Sequence, residues 1–226
     1  MIADRYPRLR LMDSGVIEGV FDLHAIFAGE ERKDTFTVRI APSSDSHQMP
    51  SLTEIGGRTI EIAEKHGVRS LADLHRNPDG TACLCVKQDE SKRFPAGSDL
   101  AHFIEELVVP YLFGLSCFDE DGKWPWPDYS HGILGIAEYY GDVVEEPSPE
   151  TLTVTLDLLK QDSAWREFSR QIRKPSAMRY CICGSRKPTS RCHPRVWAAI
   201  QSLNRDIQSL GLNMRRTLQK HGLGRI

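Results

Sequence analysis

Acidic residues are almost missing from the C-terminal quarter of the chain. Between Arg170 and Ile226 one acid, Asp206, stands against thirteen Lys and Arg, a net charge of +12. The whole chain carries −2, so the residues before Arg170 carry −14. Such an asymmetry has two readings: the basic segment packs on its own acidic body, or it holds an anionic partner. Charge alone does not choose between them. A long apolar run is also missing. The most hydrophobic stretch, Val108 to Leu115, is interrupted by Pro110 and is too short to span a bilayer, so no membrane partner is expected. The first residues, Met1-Ile2-Ala3-Asp4-Arg5-Tyr6-Pro7, lack the charged, apolar and small-residue order of a secretory leader. The expectation is a soluble cytoplasmic protein. No internal repeat or low-complexity tract occurs. Cysteine is sparse, six in 226 residues, and without a leader these read as thiols or metal ligands instead of disulfides.

What is present suffices for one substantial core and a smaller appendage, since 40% of residues are hydrophobic. Residues 14 to 41 read as a β-hairpin, with Phe36, Val38 and Ile40 alternating with polar neighbours and Gly29 in the connection. Residues Ala41 to Pro50 are polar and turn-rich. A short third strand is expected at Arg58 to Ile62, and an extended apolar piece at Ala82 to Val86. Leu100, Phe103, Ile104, Leu107 and Val108 recur at helical spacing behind a Ser98 cap, with Pro110 kinking or ending the helix. Further helices are expected at Ile133–Tyr140, Leu156–Ile172 and Val196–Leu218. The acid- and proline-bearing segment 141–150 suggests a domain boundary, giving domains 1–145 and 146–226. The fold class is α+β: a small antiparallel meander packed on a long helix, followed by a helical tail.

In that tail, Cys181-Ile182-Cys183-Gly184-Ser185 is followed by Cys192-His193. Three thiolates and an imidazole suit the four corners of a tetrahedral zinc ion and leave no position open for a substrate. Gly184 frees the backbone to turn just after the first pair, and nearby amides can donate to the sulfurs. The segment 181–193 resembles the SEC-C zinc motif of many bacterial proteins, although Arg186 and Pro188 stand in a loop where that motif often has Gly and an aromatic.

The second segment with chemistry is His75-Arg76-Asn77-Pro78-Asp79-Gly80-Thr81-Ala82-Cys83-Leu84. It delivers a cysteine from a turn onto an extended piece. Acyl transfer needs a thiol nucleophile, an oxyanion donor and room for an acyl chain. Cys83 is the candidate nucleophile and Asn77 the candidate donor. His75 either holds the turn or helps deprotonate the thiol. Cys83 and Cys85 would share one face of a strand, as nucleophile and neighbour or as two small core hydrophobes. The aromatic loop with Trp124, Trp126, Tyr129 and His131 reads as packing more than as a ligand site.

The segment resembles the active-site pattern of ubiquitin-conjugating enzymes: His75 and Asn77 match its first and third positions, and Gly80, Cys83 and Leu84 match the remainder. Arg76 replaces a proline, and Ala82 a larger aliphatic. Bacterial relatives in anti-phage operons share the His-x-Asn-x-Asp-Gly-x-x-Cys-Leu form. The resemblance covers residues 14 to about 140. It implies that Cys83 takes the C-terminus of a ubiquitin-like protein from an activating enzyme as a thioester and passes it to an amine on a target protein. A gating residue would follow the cysteine, with Asp119, Asp121 and His131 as candidates. A rival reading keeps the conjugating-type fold as an inert scaffold whose zinc and basic tail bind a protein or RNA partner. A nucleic-acid-binding role led by the basic tail is a third.

Overall fold

Four strands, β1 (Leu9–Leu11), β2 (Ile17–Phe27), β3 (Glu30–Ala41) and β4 (Ser51–Glu54), form an antiparallel meander in the order β1-β2-β3-β4. The computed structural model describes residues 2–43 and 48–219. The middle of the turn-rich segment 41–50 and the basic tail beyond Gln219 lie outside the described residues. The period-two alternation sets the register: Phe21 faces Phe36, and Ile40 faces both Ile17 and Leu52. Phe21, Phe36, Val38, Ile40 and Leu52 are all buried on that face.

The β2–β3 turn has two residues, Ala28 (φ 52°) and Gly29 (φ 87°), both in the left-handed region that a two-residue hairpin turn requires. Alanine is ill suited there. We expect Ala28→Asn to raise unfolding stability by about 0.5–1 kcal/mol and Ala28→Val to lower it, read from chemical denaturation midpoints.

The strand expected at Arg58 to Ile62 is instead the start of a helix, α1 (Arg58–His66). The run Thr59-Ile60-Glu61-Ile62 looks β-prone, but Thr59, Ile62 and Ala63 are the buried positions, at helical spacing. The buried Glu54 settles the choice. Its carboxylate accepts from the backbone N–H of Gly56 (2.7 Å) and Thr59 (3.0 Å), placing a negative group at the helix start.

Helix α2 runs from Leu100 to Asp121. Its cap is Asp99, whose carboxylate accepts from the His102 N–H at 2.9 Å, and not the neighbouring Ser98. Pro110 does not end it. Ile104–Val108 widens into a π-turn in which the Val109 N–H reaches back to the Ile104 carbonyl. Proline has no N–H, and its ring crowds the carbonyl four residues earlier; one extra residue in the preceding turn relieves the conflict. The helix ends at Gly122 (φ 70°). Among the described residues it is the one helix long and apolar enough to cross a membrane, and most of it is buried within the protein.

The chain divides into two compact units, residues 1–85 with 89–128, and residues 86–88 with 129–226. The first holds the sheet, α1 and α2. The second holds α3 (Ile133–Val143), α4 (Pro149–Gln161), α5 (Trp165–Arg173) and α6 (Pro194–Ser209). The division lies ahead of α3 and not within 141–150, because Ile133, Leu134, Ala137 and Tyr140 share a core with the later helices. The helix expected over Leu156–Ile172 is two. Asp162 separates them; its carboxylate accepts from the Ala164 N–H (2.7 Å) and from the Ile133 N–H (3.1 Å) at the start of α3. The last long helix stops at Ser209, where Gly211 (φ 67°) turns the chain before a short helical turn at Met214–Thr217.

Candidate metal centre and candidate thiol site

In the second unit, Cys181, Cys183, Cys192 and His193 converge so that their ligand atoms all lie within 4.8 Å of one another. Cys181 Sγ is 3.2 Å from His193 Nδ1, and Cys183 Sγ is 3.5 Å from Cys192 Sγ. A zinc ion bonded at about 2.3 Å to sulfur holds its ligand atoms at roughly this mutual spacing. The donor set, three thiols and an imidazole, fits a closed site for a soft or borderline divalent ion.

Local geometry explains the convergence. The Cys181 N–H donates to the Lys187 carbonyl (2.8 Å), and Tyr180 bridges to Pro188, so residues 180–188 form a tight loop. Gly184 (φ 81°) and Arg186 (φ 58°) turn it. Cys192 ends a short helical turn, Thr189–Cys192, and His193 stands directly before α6. Two buried polar residues outside the ligand set hold the loop to α5. Gln171 donates to the Tyr180 carbonyl (3.1 Å) and accepts from the Thr189 hydroxyl (3.1 Å). Burial pushes the Cys181 thiol up to about 12. Partial burial opposes ionisation of Cys183 too, but hydrogen bonds from the Ser185 side chain and backbone overcome it and bring that thiol down to about 7.

In the first unit, the segment 75–83 is a small hairpin. The Cys83 N–H donates to the His75 carbonyl (2.7 Å), and the Asn77 N–H to the Thr81 carbonyl (2.8 Å). The Ala82 N–H donates to the Leu52 carbonyl (2.7 Å), which ties the hairpin to β4. His75 itself is left-handed (φ 52°), a conformation rare for a residue with a side chain and one that aims its ring. The ring meets three groups. Its Nε2 is 3.2 Å from Asp128 Oδ2, it shares a side-chain hydrogen bond with Cys83, and it stands edge-on to Trp124 at 4.6 Å between centroids. Burial would lower the His75 pKa, but the hydrogen bonds to Asp128 and Cys83 outweigh it and raise the imidazole from 6.5 to about 9. His75 is thus a cation at neutral pH.

Of the three residues expected to act together, the structure therefore joins His75 and Cys83. Asn77 is turned elsewhere: its side-chain amide donates to Thr81 Oγ1 at 3.0 Å and braces the turn. The segment after Ala82 is not a strand. Cys83 is half-buried, with its Sγ 3.9 Å from the Cys85 carbonyl. Burial, with nearby Glu90, pushes Cys85 up to about 12, which leaves it a neutral thiol. Two of the three expected gating candidates are committed to ion pairs: Asp119 to Arg58 and Lys65 (both 2.7 Å), and Asp121 to Arg32 (3.6 Å). His131 lies in the second unit.

Sequence reasoning missed Asp128. It arrives through the aromatic loop: Trp124 lies on the helix face opened by Gly114, where an added Cβ would come within 2.0 Å of the ring, and its Nε1 donates to the Asp73 carbonyl (3.0 Å). Trp126 stacks on Phe113. The loop is packed, as expected, and the packing has a consequence for His75. Comparison of the chain with protein-family models, curated proteins and solved structures finds no match.

Proposed function

We propose that the first unit is a thiol acyl transferase of the ubiquitin-conjugating kind, acting in the cytoplasm, where thiols stay reduced. The observation that carries this reading is the imidazole of His75, hydrogen-bonded to Cys83 and ion-paired to Asp128. A cation in contact with a thiol favours the nucleophilic thiolate, and a carboxylate behind the imidazole holds its orientation. Support from the fold is coarser: an antiparallel meander, then the cysteine segment, then a long helix.

In the reaction, Cys83 Sγ attacks the carbonyl carbon of a C-terminal glycine held as a thioester on an activating enzyme. A C–S bond forms, and the activating enzyme's thiolate leaves. An amine of the target protein then attacks the Cys83 thioester. The amide C–N bond forms, the Cys83 thiolate departs, still facing the His75 imidazolium, and the amine proton passes to solvent. Asn77 serves by bracing the turn. The second unit carries zinc in its Cys181, Cys183, Cys192 and His193 cluster as a structural ion. A place in bacterial anti-phage defence rests on the sequence resemblance alone.

The test uses ubiquitin and small ubiquitin-like proteins prepared as C-terminal thioesters, which removes the need for the activating enzyme. The expected product is a covalent adduct on Cys83 that free thiol releases, that Cys83→Ala does not form, and that becomes thiol-resistant in Cys83→Ser. If every thioester leaves Cys83 unmodified while iodoacetamide also spares it, the transferase reading fails and the inert-scaffold reading takes its place.

A further inference from the structure

From Phe168 to Arg205 the chain has no Asp or Glu. Three of the cations in this stretch find partners at or beyond its edges: Arg170 with Glu167, Arg195 with Asp142, and Arg205 with Asp206. The other six, Arg173, Lys174, Arg179, Arg186, Lys187 and Arg191, make no ion pair with any described residue, and all but the half-buried Arg179 are exposed. The alternative that the basic segment is neutralised by its own acidic body is not what these six do.

Four of the six lie in or directly beside the metal loop, whose backbone is held. The Thr189 N–H donates to the Arg179 carbonyl (2.9 Å), and the Cys181 N–H to that of Lys187. These bonds set Arg179 and Lys187 on the two sides of the metal loop, with Arg186 at its turn and Arg191 in the helical turn that follows. Tyr180 lies in the same loop, 68% exposed although it is aromatic, with its backbone fixed by Gln171 at the carbonyl and by the bridge to Pro188. Met178 beside it is 73% exposed.

We propose that this face of the metal loop binds single-stranded nucleic acid, independently of Cys83. Four of the six unpaired cations are arginine, whose planar fork pairs with phosphate oxygens. An acidic protein would be served by the charges alone and would give no reason for an exposed aromatic ring in the same loop. A single strand uses both, with phosphates along the cations and a base stacked on Tyr180. A duplex has its bases already stacked and has no use for the ring.

The test is fluorescence anisotropy of the full chain with labelled oligo-dT and oligo-U, beside a DNA duplex of equal length. Affinity for the single strands should fall by roughly one to two orders of magnitude between 50 and 200 mM salt, the slope of contacts to about two to five phosphates. Tyr180→Ala should weaken binding roughly tenfold with the salt slope unchanged, and Tyr180→Phe should restore it. Two neutralised pairs, Arg173→Gln with Lys174→Gln and Arg186→Gln with Lys187→Gln, should each flatten the slope. The first pair lies away from the metal ligands, so its effect does not depend on an intact metal loop. Equal binding of duplex and single strand, or indifference to Tyr180→Ala, would reduce the surface to a general polyanion site and overturn the proposal. So would an absence of binding at 50 mM salt.

Discussion

At pH 7, iodoacetamide should alkylate Cys83 far ahead of Cys85, and His75→Ala should slow the Cys83 reaction roughly tenfold or more. Cys85, pushed up to about 12 by burial, presents a thiolate fraction of roughly one in a hundred thousand at that pH. Cys83 has instead an imidazole in hydrogen-bond contact, itself held cationic by Asp128. Asp128→Asn should therefore slow alkylation in the same direction as His75→Ala but by less, because it leaves the ring in place. The same linkage predicts a pH dependence of stability. The folded-state pKa of His75 is raised from 6.5 to about 9, so its contribution is fully present below about pH 6.5 and is lost as pH rises through about 9. Asp128 is 44% exposed and water screens the pair, so the loss should be about 1–3 kcal/mol in the wild-type chain. Denaturation midpoints at pH 6.5 and 9.5 measure it, and in Asp128→Asn the difference should shrink to less than half. An Asp128→Asn chain with the full wild-type pH dependence, and with Cys83 alkylated at the wild-type rate, would remove Asp128 from the site.

The second large effect concerns the metal loop. The purified chain should carry one zinc ion, and neither Cys181→Ser nor Cys192→Ser should hold it with comparable affinity. With free zinc at a thousandfold its dissociation constant, the bound ion stabilises the folded second unit by about 4 kcal/mol, and a strong chelator removes that term. For a unit of about a hundred residues this corresponds to a fall of roughly 15–30 °C in the unfolding midpoint. The loss should begin at the loop and reach α5 next, because Gln171 ties the Tyr180 carbonyl and the Thr189 hydroxyl to that helix. Hydrogen exchange would then show protection lost at residues 180–193 and at the C-terminal turn of α5 before α6. A chelated chain with an unchanged melting curve and exchange pattern would mean that the four side chains assemble without a metal.

How much could be read without coordinates depended on the distance over which each interaction acts. The hairpin of β2 and β3 was legible because alternation is a property of adjacent residues. The metal loop was legible because its four ligands fall within 13 residues and two turn positions supply their approach. The helix at Arg58–His66 was not, because a short β-branched run suits either state, and the deciding group, the Glu54 carboxylate, lies outside it. Pro110 was legible only in part, since it distorts the helix without ending it. Proline argues against an ordinary helical turn, but burial of Leu107, Val108, Leu112 and Phe113 holds the helix together, and a π-turn absorbs the ring.

The order of residues alone thus determined the meander's alternation, the close spacing of Cys181, Cys183, Cys192 and His193, and the long stretch without acid between Phe168 and Arg205. All three arise between neighbours in the chain or from composition. Only the tertiary structure decided that Asp128 stands behind His75, that Asn77 braces its turn, and that Asp119 and Asp121 are taken by arginine and lysine. Asp128 is far from His75 along the chain, and they meet because Trp124 fills the space that Gly114 leaves open on α2. Such a meeting is set by shape complementarity across the core, which no local pattern encodes.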